Sequence, residues 1–291
     1  MTTYRELTDR IHSMLHSATG IQEQMTWLTS GCNSSATSIV VNDDSVISKG
    51  ISEIEDELIY VSSTDSGTLT LAPFGRGYRG STAASHSANA PVTFNPIFPK
   101  VDIKRAINEA LRQVYPSLYQ IKDTTFEFGG SVLTYELPAD CEKVIKVIWD
   151  TIGPSGYWET SYAWRFEPDS EEATGKALTL IDLPLNGQTV KVVYQAKFSD
   201  LSADGDTLAS LGYPDSAEDV LYYAVASKLI RFMDVSRLQM GNVENLSRAN
   251  VVQAGDAAKV ANQMFAMYQQ RLAEERRRLL DLNPPSMYFT R

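Results

Sequence analysis

The chain has 291 residues, 43% of them hydrophobic, enough for one large core or two to three smaller ones in an ordinary globular protein. Its formal net charge of −10 is unevenly spread: residues 1–256 carry 20 basic and 33 acidic side chains, a net of −13, whereas 257–291 carry 6 and 3, a net of +3. An acidic body repels phosphates, which argues against a sequence-specific nucleic-acid binder, and no apolar run approaches the ~20 residues of a membrane span.

Tyr4–Ser17 places Tyr4, Leu7, Ile11, Met14 and Leu15 at helical spacing, which predicts an amphipathic helix ended by Gly20. Arg5, Glu6, Asp9 and Arg10 stand where a signal peptide needs its apolar stretch, so synthesis in a cytoplasm is expected. His12 and His16, at i and i+4, could clasp a metal, but HExxH context and a carboxylate partner are missing from the pattern, so a partly solvated face is expected. Short β-rich runs follow at Ser38–Val41, Glu57–Ser62, Thr68–Ala72 and Pro91–Phe94, bounded by Gly, Asn and Asp, and predict a small β module over 25–97. Within it the run Glu55-Asp56-Glu57 reads as exposed loop and strand-edge charge.

Gly75, Gly77 and Gly80 spell GxGxxG, the letters of a dinucleotide loop. That fingerprint needs a strand before it, a helix opening at its end and an acidic residue about 20 residues on. Here a small-residue run and a second strand at Pro91–Phe94 follow, so the glycines are expected to serve a tight connection between strands, with Arg76, Tyr78 and Arg79 at its tip.

Asp102 is expected to cap a second helix carrying Ile103, Ile107, Ala110, Leu111 and Val114 on one face, with Pro116 ending it. Strands return at Thr124–Phe128 and Val132–Leu137, read as a hairpin across Gly129-Gly130, then at Lys143–Asp150, Ala163–Phe166, Ala177–Asp182 and Val190–Phe198, with a tight turn at Asn186-Gly187. Together they predict a sandwich-like module over 123–200. Ser216 and Asp219 resemble a capping box before an apolar helix, Ala217–Asp234, and Asp256 caps a last helix to about Leu282. Asn283-Pro284-Pro285 stops it, leaving an extended tail, 283–291.

Chemistry is sparse in this pattern. Three histidines, no GxSxG elbow and no cysteine-protease signature argue against a nucleophilic enzyme, and no cofactor or metal is expected. Cys32 and Cys141 lack CxxC spacing and are expected as free thiols. Asp200, Asp204 and Asp206 lack the order of a calcium loop and read as a solvated turn. Arg276, Arg277 and Arg278 are either a solvated helix end or a surface for an acidic partner; Met287, Tyr288 and Phe289, with Arg291, suggest docking into a partner's groove or packing on their own domain.

The segment Glu57–Val92, with strands ELIYV and TLTLA and then RGYRGSTAASHSANAPV, is similar to a theme of tailed-bacteriophage virion proteins: strand, RG, a GT-like pair, small residues, His and a final strand. Ser81 departs from the GT pair. The order of elements along the chain resembles the head-to-tail connector, or adaptor, proteins of phages. The resemblance implies an α+β fold, a bundle of about four helices (1–20, 101–121 and 215–282) with two inserted β modules and an extended C-terminal tail. It further implies a structural, non-enzymatic protein of the virion neck, made in the host cytoplasm. Its partners would be a portal protein and a tail or stopper/neck protein, and twelve copies would form a ring through which DNA passes. The residues read as partner contacts are Arg276, Arg277, Arg278, Met287, Tyr288, Phe289 and Arg291, with Arg76, Tyr78 and Arg79. Tyr157, Trp158, Tyr162 and Trp164 leave open a carbohydrate-binding tail or baseplate protein.

Overall fold

A computed structural model describes residues 2–19, 23–151, 156–240 and 256–283, the side chains of 232–240 and of residue 256 excepted. It begins with α1 (Tyr4–Thr19), whose start is a reciprocal capping box. The Thr3 amide donates to Glu6 Oε2 (2.9 Å) and the Glu6 amide to Thr3 Oγ1 (3.2 Å). Leu7, Ile11 and Leu15 lie on its inner face with no exposure. That face meets α2 (Lys100–Gln113) and α3 (Glu218–Met240), and α3 also runs along α4 (Asp256–Leu282). Ile103, Ile107 and Leu111 of α2 and Val220, Leu221 and Val225 of α3 complete this core, closed by Phe98, Leu118 and Phe198 from the connections.

The first β unit is a barrel. Its strands are β1 (Gln24–Trp27), β2 (Ser38–Val40), β3 (Gly50–Ile54), β4 (Glu57–Asp65), β5 (Thr68–Leu71) and β6 (Pro91–Phe94), antiparallel in the order β1-β6-β3-β4-β5-β2. The two outer strands then meet. Leu28 bridges Val41, the Thr29 amide donates to the Val40 carbonyl (3.0 Å) and the Asn42 amide to the Trp27 carbonyl (2.9 Å). Closure satisfies edge groups that an open sheet would expose. Leu28, Ile39, Ile54, Ile59, Val61, Leu69 and Val92 fill the interior.

The second β unit has two layers. One sheet, in the order β10-β9-β13-β7, contains β7 (Gln120–Glu127), β9 (Lys143–Asp150), β10 (Trp158–Thr160) and β13 (Thr189–Ala196). The other, β11-β12-β8, contains β8 (Thr134–Glu136), β11 (Trp164–Glu167) and β12 (Ala177–Leu180). Val147, Val190, Val192 and Tyr194 from the first face Leu178 and Leu180 from the second across one shared core.

Several expectations are corrected. Thirteen strands in three antiparallel sheets stand beside four α-helices among the described residues, so the protein is a β-rich α+β fold and not mainly a helical bundle with insertions. Long helices announce themselves by periodicity, whereas β1, β3 and β10 are short and gave no strand signal. The Gly129-Gly130 hairpin does not form. β7 pairs with β13 along its whole length, from Thr189 opposite Glu127 to Ala196 opposite Gln120, and the chain after Phe128 crosses to the other sheet, where β8 pairs with β12. Asn186-Gly187 does turn, with Gly187 at φ +84°, but it too joins different sheets. Asp102 sits inside the first turn of α2 behind Pro99 and pairs with Arg105 (3.2 Å). Ser216 and Asp219 form no capping box: Ser216 Oγ donates to Glu275 Oε2 (2.8 Å), and Asp219 holds Arg271 (2.6 Å), fastening α4 to the start of α3.

Candidate functional site

The GRGYRG connection leaves β5 and returns to β6, and its only helical piece is a single 3-10 turn at Tyr78–Gly80. A phosphate loop's helix N-terminus is therefore missing from it. The glycines are required by the backbone. A Cβ on Gly75 would stand 2.7 Å from the Ala72 carbonyl oxygen and 2.8 Å from that of Tyr60, while Gly77 has φ +58°. Gly75 has to be that close because its carbonyl accepts from the Tyr60 amide (2.8 Å), sewing the loop onto β4. Ser81 adds a second stitch: its hydroxyl accepts from the Leu58 amide (2.9 Å).

Arg76 is not at the loop tip. Its Nε donates to Glu57 Oε1 (2.7 Å) and its Nη2 to Glu57 Oε2 (2.8 Å), a bidentate pair whose side chains are 10% and 1% exposed. The remaining donors reach the carbonyls of Asn33 (2.5 Å) and Ala84 (2.6 Å). Glu57 also accepts from the amides of Gly77 (2.9 Å) and Ala84 (3.0 Å) and contacts His86 Nε2 (2.9 Å). Burial alone would push this carboxyl up; Arg76, the two amides and His86 outweigh it and hold Glu57 at about 2. His86 Nδ1 meets Glu55 Oε2 (2.8 Å), and the His86 backbone pairs with Cys32 in both directions (2.9 Å each).

The acidic run Glu55-Asp56-Glu57 is thus not idle surface charge. It is the turn between β3 and β4, and it sends its three carboxylates to three partners: Glu55 to His86, Glu57 to Arg76, and Asp56 to Lys104 of α2 (3.1 Å). Lys104 also holds Asp204 (2.5 Å), and Arg105 donates to the Arg79 carbonyl (2.6 Å). Asp206 accepts from the amides of Ser202 and Ala203 (2.8 Å each), so this aspartate run orders its own turn and ties it to α2. The loop, the hairpin and α2 form one ionic joint between barrel and helices.

The other expected contact residues lie apart from it. Tyr78 is half-buried on Tyr60 (5.3 Å between rings), and the Arg79 side chain is exposed. The true tip is Phe74, 98% exposed, which the sequence signalled only as an aromatic between Pro73 and Gly75. Arg276, Arg277 and Arg278 are exposed near the end of α4, beside the outward-facing Leu280 and Leu282. Met287, Tyr288, Phe289 and Arg291, with the rest of 284–291, lie outside the described residues. Tyr157, Trp158 and Tyr162 are exposed, whereas Trp164 packs against the two-layered core.

A second cluster brings together His12, His16 and Glu23, whose ligand atoms lie within 4.8 Å of one another. The carboxylate missing from the helix pattern is supplied by the residue just before β1. Burial and the neighbouring His16 lower the His12 pKa. Cys141 is buried, its thiol pushed up to about 11 by that burial, and Cys32 is also free.

Strongly ionised groups here are spent on fastening loops to scaffold, with Glu57 held as a salt-bridged anion at the centre. No helix among the described residues is long and apolar enough to cross a membrane. Comparison with curated proteins finds no match. The family model of the SU10 adaptor protein matches residues 82–285, and the chain belongs to that family: it is a phage head-to-tail adaptor protein. The match begins at Thr82, past GRGYRG and Ser81, so α1 and strands β1–β5 precede it.

Proposed function

We propose that this protein assembles as a ring of twelve copies between the portal of a phage head and its tail or stopper protein, with a central channel for DNA, and that it turns over no substrate. The observation that carries the reading is the adaptor-family match over residues 82–285, which spans the two-layered β unit and three of the four helices. The charge distribution supports it. Phosphate affinity comes from cations, and a body of net −13 lets DNA slide past without capture. A ring of identical copies needs two different adhesive faces on each subunit.

For the portal contact we assign Arg276, Arg277 and Arg278 together with the tail residues Met287, Tyr288, Phe289 and Arg291. For the contact with a neighbouring copy or shell protein we assign Tyr78 and Arg79, joined by Phe74; Arg76 acts behind them by holding the loop. Negative-stain imaging of the full chain alone and mixed with its portal tests the assignment. Rings seated on the portal are expected. A protein that stays monomeric and passes the portal on gel filtration would overturn it.

A further inference from the structure

We propose that His12, His16 and Glu23 form a binding site for a divalent transition-metal ion of the zinc type, which clamps the end of α1 to the start of the barrel. The two imidazoles are one helical turn apart and turn the same atom toward each other, His12 Nε2 to His16 Nε2 at 3.1 Å. Two nitrogens each about 2.05 Å from a tetrahedral zinc ion stand about 3.3 Å apart. Glu23 Oε2 is 3.5 Å from His16 Nε2, again the spacing of two ligands on one ion.

The site is held from outside. Glu23 Oε1 accepts from the Ile97 amide (2.8 Å), which leaves Oε2 for the ion, and the His16 ring lies edge-on to Phe98 (5.9 Å). Such outer contacts orient ligands before the metal arrives. All three residues are partly buried, so the ion would be shielded on the protein side and would keep one position for water. Lys100, whose charge acts on His12, is paired with Asp9 (2.7 Å), which removes much of its repulsion. The ligands come from α1 and from the segment entering β1, and the outer contacts come from the chain between β6 and α2. An ion there would join three segments that meet where barrel and helices meet.

The plain alternative is a hydrogen bond between the two imidazoles, and metal titration separates the two. Full-length protein stripped with EDTA is titrated with Zn²⁺ by calorimetry and with Co²⁺ in the visible spectrum, with circular dichroism as a check on folding. We expect one ion per chain, d–d bands of tetrahedral Co²⁺, a higher thermal midpoint with Zn²⁺, and an affinity at least about 10-fold weaker in His16→Ala. If His16→Ala fails to fold, Glu23→Gln carries the test, because its amide oxygen still accepts from Ile97 while the anionic ligand is gone. Absence of Zn²⁺ uptake overturns the site, and so does uptake that neither variant weakens.

Discussion

Arg76 grips Glu57 with two parallel hydrogen bonds of 2.7 and 2.8 Å inside the loop whose letters spell a nucleotide fingerprint. A bidentate guanidinium–carboxylate pair that is nearly dry is worth little as a net stabiliser, because two charges have left water, but breaking it strands the remaining charge. Arg76→Ala should therefore cost about 3–5 kcal/mol, since Glu57 is 1% exposed and keeps its charge. Arg76→Lys should cost about 1–3 kcal/mol, because one ammonium cannot reach both carboxylate oxygens and the carbonyls of Asn33 and Ala84. Urea denaturation of the three proteins checks the order. A loss below 1 kcal/mol for Arg76→Ala would mean that the loop holds without its arginine.

The loop's glycines act by a different cause, sterics. Gly75→Ala places a methyl within 2.8 Å of two backbone carbonyl oxygens, neither of which can rotate away, and should destabilise by about 1–3 kcal/mol. Gly77→Ala keeps φ +58° at a cost of about 1–2 kcal/mol. Hydrogen exchange should show the loss locally, in the amides of Tyr60, Ala72 and Gly77, before the two-layered β unit is affected.

How much of this was legible follows from the range of each interaction. The helices were legible, α1 and α4 almost to the residue, because an apolar stripe of 3.6 period is a local signal. The TxxE box at Thr3–Glu6 was also local and was missed. Strand existence was readable where β-branched runs are long, as in Lys143–Asp150, but pairing was not: whether β7 bonds to β8 or to β13 is decided by residues far apart in the chain, Glu127 and Thr189 among them. The fold class was misjudged for the same reason, since a four-residue strand such as Gln24–Trp27 carries no pattern until its barrel neighbours are known. Arg76 looked like a loop-tip cation because nothing in the sequence says that Glu57, 19 residues earlier, points inward. Glu23 was invisible as a partner of the histidine pair because it lies outside the helix whose spacing pairs His12 with His16.

Glu53 supplies a dependence on pH. Burial raises its carboxyl from 4.5 to about 8, although the Lys100 amide donates to Oε1 (2.7 Å). The folded chain then holds the proton more tightly than the unfolded one. Its contribution to stability is complete below about pH 4.5 and is lost as the pH climbs to about 8. Glu53→Gln keeps an oxygen for the Lys100 amide and carries no titrating group. Its unfolding midpoint should exceed that of the parent protein above pH 8 and lose the parent's decline through the window below it. Parallel pH profiles in the two proteins would count against a buried, protonated Glu53.

The arginines of α4 separate surface from scaffold. Arg276, Arg277 and Arg278 are exposed, and among the described residues only Arg278 forms an ion pair, with Glu275 at 3.9 Å, so replacing all three by Gln should change stability by about 1 kcal/mol or less. If they meet an acidic portal surface, the same triple variant should slow association with the portal, and the parent's rate should fall with added salt more steeply than the variant's. Truncation before Asn283 removes the aromatic tail but leaves these cations in place. Loss of portal binding in the truncation alone would assign the anchor to the tail, loss in the triple variant alone would assign it to the helix end, and loss in neither would move the portal contact to another face. Phe74→Ser is the companion test for the barrel's loop tip, since a side chain 98% exposed contributes nothing to the barrel core and its replacement should alter only contacts between proteins.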